Sequence, residues 1–182
     1  MKKEAKFEDI FQEQIEDLHD AENQIIQALP KLITQSSSES LAGALQLHLD
    51  ETKEQVTRLE AIFDRMGDHP GARKCEGMQG LLSEGEKSIA ELQKSPVLDI
   101  AIIANAQRVE HYEIAAYSSA CALAEMLGQE EVLALLQETL KEETTASENL
   151  TDLAESILSG DDRAPDVEGA IGKTEQSVRS AR

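Results

Sequence analysis

Basic charge is what this chain most lacks: 17 Lys and Arg stand against 36 Asp and Glu, for a formal charge of −19. A field of that sign repels phosphate backbones and anionic lipid heads and attracts cations, so no nucleic-acid or membrane partner is expected. Cysteine is scarce too. Cys75 and Cys121 stand alone, without CxxC spacing or a disulfide-dense framework, which fits a reducing compartment and casts both as small buried hydrophobes. No stretch approaches the roughly 20 apolar residues needed to span a bilayer. The N-terminal MKKEAKFEDIF carries positive charge with no apolar run behind it, so a cytoplasmic location is expected. Tryptophan is absent and aromatics make up 3%, leaving Leu, Ala and Ile to supply apolar surface among many Gln, Glu and Lys. That mix favours helices. No segment alternates apolar and polar residues with β-branched enrichment, so strands have no support.

What is present reads as helix after helix. At 182 residues the chain suits one domain, or one domain plus a tail. Phe11, Ile15, Leu18, Ile25, Leu29 and Leu32 recur at helical spacing and mark one face of a first helix from Phe7 to Ile33. Pro30 inside it predicts a kink or an early stop. Ser36 with Glu39 offers a capping box for a second helix through Leu41, Leu45, His48, Thr52, Val56, Leu59, Phe63 and Met66, closed by Gly67. GDHPGARK is a loop, and Cys75 to Gln93 predicts a short connecting helix. Ser95-Pro96 starts a third long helix, which runs through Ile102, Val109, Ala116 and Leu127 to Gly128. Glu130 and Glu131 suit the positive end of a fourth, whose seam is Leu133, Leu136, Leu140, Ser147, Leu150 and Ile157. Two hairpins joined by one long connection predict the all-α, ferritin-like four-helix bundle over 1–158. Residues 159–182 hold few large apolar side chains and read as a flexible tail.

The informative acids are those that fall in apolar seams. Glu22 continues the row of Phe11, Ile15 and Leu18 and is followed on that face by Ile25, Leu29 and Leu32. Glu143 falls among Leu136, Leu140 and Leu150, whereas Glu142 faces Glu138 and Thr145 on a more polar side. Glu113 has Ala106, Val109, Ala116, Tyr117 and Ala120 as helical neighbours, and Glu110 shares its face one turn back. On the second helix the acid is Glu51, one turn from His48 and Gln55. Each hairpin thus places an acid on both of its helices, and the halves look like rough copies.

A buried carboxylate costs several kcal/mol, and five together repel one another, so something must neutralise them. These seams hold no Lys or Arg. Two divalent cations bring four positive charges against five negative ones, and hard carboxylate ligands suit iron first and manganese second. A single Glu near an apolar stripe is ordinarily a solvated face; four helices each placing one there is hard to obtain by chance. His48 reads as a ligand, a donor to Glu51 or a satisfied core histidine, with the donor role favoured. His19, His69 and His111 read as surface residues, and Tyr112 and Tyr117 as buried phenols with satisfied hydroxyls.

The stretches DLHDAENQIIQALPKL, HLDETKEQVTRLEAIF, KCEGMQGLL, QRVEHYEIAAY and LKEETTASENLTDLAE resemble the YciF-type ferritin-like proteins linked to bacterial stress responses, across residues 7 to 158. The resemblance implies a fold related to rubrerythrins and bacterioferritins. Their metal pair is held by Glu on the first helix, Glu-x-x-His on the second, Glu on the third and Glu-x-x-His on the fourth. Carried over, it implies Glu22, Glu51, Glu113 with Glu110, and Glu143 as metal ligands. The two histidine positions hold Glu54 and Ala146 here, and His48 precedes Glu51 instead of following it, which leaves an oxygen-rich site. No cysteine cluster supports a rubredoxin-like partner within the chain. The expectation is a homodimeric stress protein with a dinuclear iron or manganese site acting on peroxide or oxygen. Its alternative is a non-enzymatic bundle acting by protein association.

Overall fold

The computed structural model describes residues 6–71 and 73–160. Five helices follow one another: α1 Phe7–Gln35, α2 Glu39–Met66, α3 Glu76–Ile89, α4 Pro96–Met126 and α5 Glu130–Ser159. There is no strand among the described residues. α1 packs on α2 and α4 on α5; the two hairpins meet through α2 with α5 and α1 with α4, while α3 lies across α4 and α1. This is the expected four-helix bundle with its extra helix in the long connection. No helix among the described residues is long and apolar enough to cross a membrane. The tail expected over 159–182 lies, from residue 161 onward, outside the described residues.

Local chemistry sets the ends. Gly67 adopts φ 70° and its N–H returns to the carbonyls of Asp64 and Phe63, a left-handed C-cap that closes α2. Ser95 accepts from the Leu98 N–H at 3.4 Å, with Pro96 at the first helical position of α4. Two expectations are corrected. Of the kink or early stop expected at Pro30, the stop does not occur, and α1 continues to Gln35. Pro30 faces solvent, and Leu29 with parts of Leu32 and Ile33 packs into the core around it. Their burial, at about 1.5–3 kcal/mol for each fully buried side chain, outweighs the roughly 3 kcal/mol that an internal proline removes. The N-cap of α2 is Ser38, accepting from the Leu41 N–H, and not Ser36, whose hydroxyl turns back to Leu32 O. The cause lies across the fold. Asp99 of α4 accepts from the N–H of Ser37 at 2.7 Å, from its hydroxyl, and from the N–H of Ser38 at 3.0 Å, which fixes the turn two residues later than the capping-box pattern implied.

The core comes in two parts. One cluster gathers Phe11, Ile15, Leu18, Leu59, Phe63 and Leu136 at one end. The other gathers Ile25, Leu29, Leu45, Ile102 and Leu153 at the opposite end. Between them the helices bury a layer of polar side chains: Glu22, His48, Thr52, Gln55, Glu110, Glu113, Thr139, Glu143 and Ser147. A separate apolar cleft of about 400 Å³ lies between α1, α3 and α4, lined in part by Leu32, Leu81, Leu82 and Ile102.

Candidate metal centre

The periodicity that buries the leucines also buries the carboxylates. Glu22 sits one turn beyond Leu18 on α1, Glu113 one turn before Tyr117 on α4, and Glu143 between Leu136 and Leu150 on α5; all three are 0% exposed. Glu110 is buried one turn before Glu113. From α2 the inward residues are His48, Thr52 and Gln55, spaced four and three apart so that they share one face. One ligand atom from each of His48, Glu110, Glu113 and Glu143 lies within 4.8 Å of every other. Glu22 adjoins this quartet through Glu113.

Few of these atoms are satisfied. The Tyr117 hydroxyl donates to Glu22 Oε1 at 2.5 Å, and the Gln55 amide donates to Glu143 Oε1 and, at 3.1 Å, to Glu142 Oε2. Left without a partner are Glu22 Oε2, Glu110 Oε2, both Glu113 oxygens, Glu143 Oε2, Gln55 Oε1 and both His48 ring nitrogens. His48 Nε2 lies 3.5 Å from Glu110 Oε1, long for a hydrogen bond. Glu22 with Glu113, and Glu110 with Glu143, lie close enough to share a proton, but two carboxylates have no donor between them.

The electrostatics follow from burial first and mutual repulsion second. Desolvation, then the charge of Glu143, pushes the Glu22 carboxyl up to about 8. Desolvation likewise holds Glu143 at about 7, despite hydrogen bonds from Glu110 and Gln55 that oppose it. Glu110 and Glu113 are pushed well above the ordinary carboxylate range by desolvation and by their carboxylate neighbours. Burial lowers His48 to about 4, which keeps its imidazole neutral with a lone pair to offer at neutral pH. Metal-free, these groups must hold protons or repel one another. The donor set fits a divalent cation, because unpartnered oxygens and a neutral imidazole converge where water is excluded.

Five of the residues singled out in the sequence are therefore brought together: Glu22, His48, Glu110, Glu113 and Glu143. Glu51 is not brought in as far. It lies half-buried on the flank of α2, and burial and the charge of Glu142 raise its carboxyl. His48 accordingly faces Glu110 rather than the Glu51 partner expected for it. Glu54 is exposed and Ala146 half-buried, so neither supplies an imidazole. His69 and His111 are exposed as expected, but His19 is half-buried, its ring edge-on to Phe63 at 5.9 Å.

A guanidinium also reaches the seam, contrary to expectation. Arg58 clamps Glu142 with two bonds of 2.7 and 2.5 Å and donates to Thr139 Oγ1 at 2.7 Å. Gln55 and Arg58 went unassigned in the sequence. The signal for Gln55 was its spacing from His48; Arg58 carried none, because its partner lies 84 residues away. On the other side of the centre, Cys75 Sγ lies 3.1 Å from Asp17 Oδ2 and 3.0 Å from the Tyr112 hydroxyl, which itself donates to Asp17 at 3.0 Å. This cluster ties α3 to α1 and α4, and burial pushes the thiol up, away from reactivity.

Comparison with known proteins agrees with this architecture. The model of the domain of unknown function DUF892 matches residues 6–161. Protein YciF of Escherichia coli strain K12 is 42% identical over 148 residues, covering 81% of this chain and 89% of that protein. Among solved structures, the E. coli stress protein YciF superposes with a TM-score of 0.82 at 39% identity, covering 85% of this chain and 98% of that one. YcfI of Rhodopseudomonas palustris gives 0.79 at 39% identity, covering 81% and 94%. A two-domain protein of Anabaena variabilis that contains a ferritin-like domain gives 0.56 at 13% identity, covering 85% of this chain and 38% of that one, a likeness of fold alone. With these matches laid over a ferritin-like bundle and its buried carboxylate layer, the chain belongs to the DUF892 family, that of the bacterial stress protein YciF.

Proposed function

We propose that the polar layer is a dinuclear carboxylate metal centre, iron being the first candidate and manganese the second, in a stress protein that acts on peroxide or oxygen. The observation that carries this reading is the convergence of unpartnered, buried carboxylate oxygens from α4 and α5 on a neutral imidazole from α2, with Glu22 of α1 adjoining them through Glu113. Four inner carboxylates, Glu22, Glu110, Glu113 and Glu143, balance two divalent cations once Glu51 is placed on the flank. His48, Glu110, Glu113 and Glu143 would hold the ions, with Glu22 completing the set. When bound, such ions supply Lewis acidity and redox cycling. The chain supplies the rest: Tyr117 holds Glu22 in place, Gln55 holds Glu143, and the apolar clusters above and below keep bulk water out.

The test is metal analysis of protein purified without chelator under iron and manganese supplementation, beside a Glu22→Ala, Glu113→Ala double substitution. Near-stoichiometric metal in the wild type, lost in the variant, supports the centre; a metal-free wild type sinks it. Peroxide consumption by the loaded protein then decides on turnover. A second reading, a non-enzymatic bundle in which metal is structural, is favoured by one observation: Glu54 and Ala146 stand where the ferritin-like pattern has histidines. Bound metal without peroxide turnover would select it.

A further inference from the structure

The polar layer is closed on most sides. Apolar clusters fill the bundle above and below it. α3 lies over the α1–α4 side, where Gly77 abuts Tyr112 so tightly that a Cβ there would sit 2.8 Å from its ring. Among the described residues no further helix lies over the α2–α5 seam, and polar groups run through it from surface to core. Exposed Glu138 stands 3.9 Å from Arg58 Nε; Arg58 clamps Glu142; Gln55 bridges Glu142 to Glu143. Half-buried Glu51 stands on the α2 flank of the same seam, within electrostatic range of Glu142 outside and Glu110 inside. Gln55 is wholly buried, and its Oε1 has no partner.

We infer that the α2–α5 seam is the portal by which cations reach the centre, with Glu51 and Glu142 forming an outer capture site for a divalent cation and Arg58 acting as its gate. The inference rests on reading the buried layer as a metal centre. Three acids, Glu51, Glu138 and Glu142, stand near one arginine at this seam, so its local field draws in dications. In the closed arrangement the guanidinium occupies both Glu142 oxygens. An arriving cation competes for them, and Glu138 stands ready to receive the displaced arginine. Gln55, whose amide nitrogen bridges Glu142 to Glu143, carries a free neutral Oε1, a stepping point that neither traps the ion nor leaves it unsolvated.

Stopped-flow uptake of cobalt(II) by chelator-stripped full-length protein, read from its visible absorbance at low salt, tests this. The rate is compared independently of how much cobalt each variant finally holds, and far-ultraviolet circular dichroism verifies folding. Arg58→Ala should load faster than wild type by about threefold or more, with Arg58→Lys, which keeps the charge but not the two-point clamp, in between. Glu142→Gln and Glu51→Gln should load slower by a similar factor. Glu13→Gln, an equal charge change at the exposed pair with Arg73, should match wild type. Cobalt uptake by wild type at a rate indifferent to Arg58 and Glu142, or slowed as much by Glu13→Gln, overturns the portal and leaves the centre standing. No uptake by wild type at any concentration overturns both.

Discussion

Replacing Glu22 with Gln should flatten the pH dependence of stability in the metal-free protein. Glu22 is wholly buried, and desolvation, then the charge of Glu143, raises its carboxyl from 4.5 to about 8 against the opposing hydrogen bond from Tyr117. Unfolded, it titrates at its ordinary value. Between those two values the folded state holds one proton more than the unfolded state at this side chain. Its contribution is therefore complete below the unfolded value and is lost as pH rises toward the folded one, at about 1.4 kcal/mol per pH unit. From about pH 5 to about pH 7 that amounts to roughly 3 kcal/mol from one residue. Gln has the same shape, accepts the Tyr117 hydrogen and takes up no proton, and its amide can donate to Glu113. Urea unfolding of chelator-treated protein, followed by circular dichroism across this range, gives the slope for both chains. The stability difference should shift in the variant's favour by about 3 kcal/mol over those two pH units. Parallel wild-type and variant curves would refute the reasoning. Added iron or manganese should favour the wild type at neutral pH if the proposed centre forms, because the variant lacks one of its carboxylates.

Three further outcomes are expected. His48→Gln removes a proposed ligand and should weaken metal binding by about 10-fold or more, at least what loss of an outer-shell partner costs, measured by competition with a chelator of known affinity, while leaving the metal-free fold intact. Gly77→Ala drives a methyl to within 2.8 Å of the Tyr112 ring and should destabilise by about 1–3 kcal/mol in urea unfolding; the companion Gly80→Ala, with open space around its Cβ, should not. Asp99→Ala removes the acceptor for the Ser37 and Ser38 N–H groups and the Ser37 hydroxyl, and should lower stability by about 3 kcal/mol at neutral pH. Amide exchange of the Ser37 and Ser38 N–H groups in that variant should accelerate before the rest of α2 is affected.

What the sequence made legible was whatever repeats at helical spacing. The long helices follow from rows such as Phe11, Ile15 and Leu18, and Glu22, Glu113 and Glu143 stand out because a carboxylate on such a row must be buried with it. Glu51 shows where that logic thins: on α2 the inward row runs His48, Thr52, Gln55, Leu59, so an acid one turn from His48 falls on the flank. Which of three successive serines would cap α2 was decided by Asp99, 61 residues from Ser38. The Arg58–Glu142 clamp depends on how α2 and α5 are rotated against each other, which neither helix encodes alone. Pro30 does not end α1 because the tertiary burial of its neighbours, which local propensity does not contain, outweighs the lost hydrogen bond.

The division of the interior into two apolar clusters has a thermodynamic corollary. Each cluster holds its own end of the four long helices, so whether the molecule melts as one unit should be decided by the stratum between them. Stripped of ions, that stratum is a fault line, and the two ends should exchange their amide hydrogens as separate cooperative blocks, one around Phe11 and Phe63, the other around Ile25 and Leu45. With ions bound, carboxylates from three helices and the imidazole of the fourth converge on common points, and the blocks should fuse. Hydrogen exchange would then report metal occupancy from residues that never touch it.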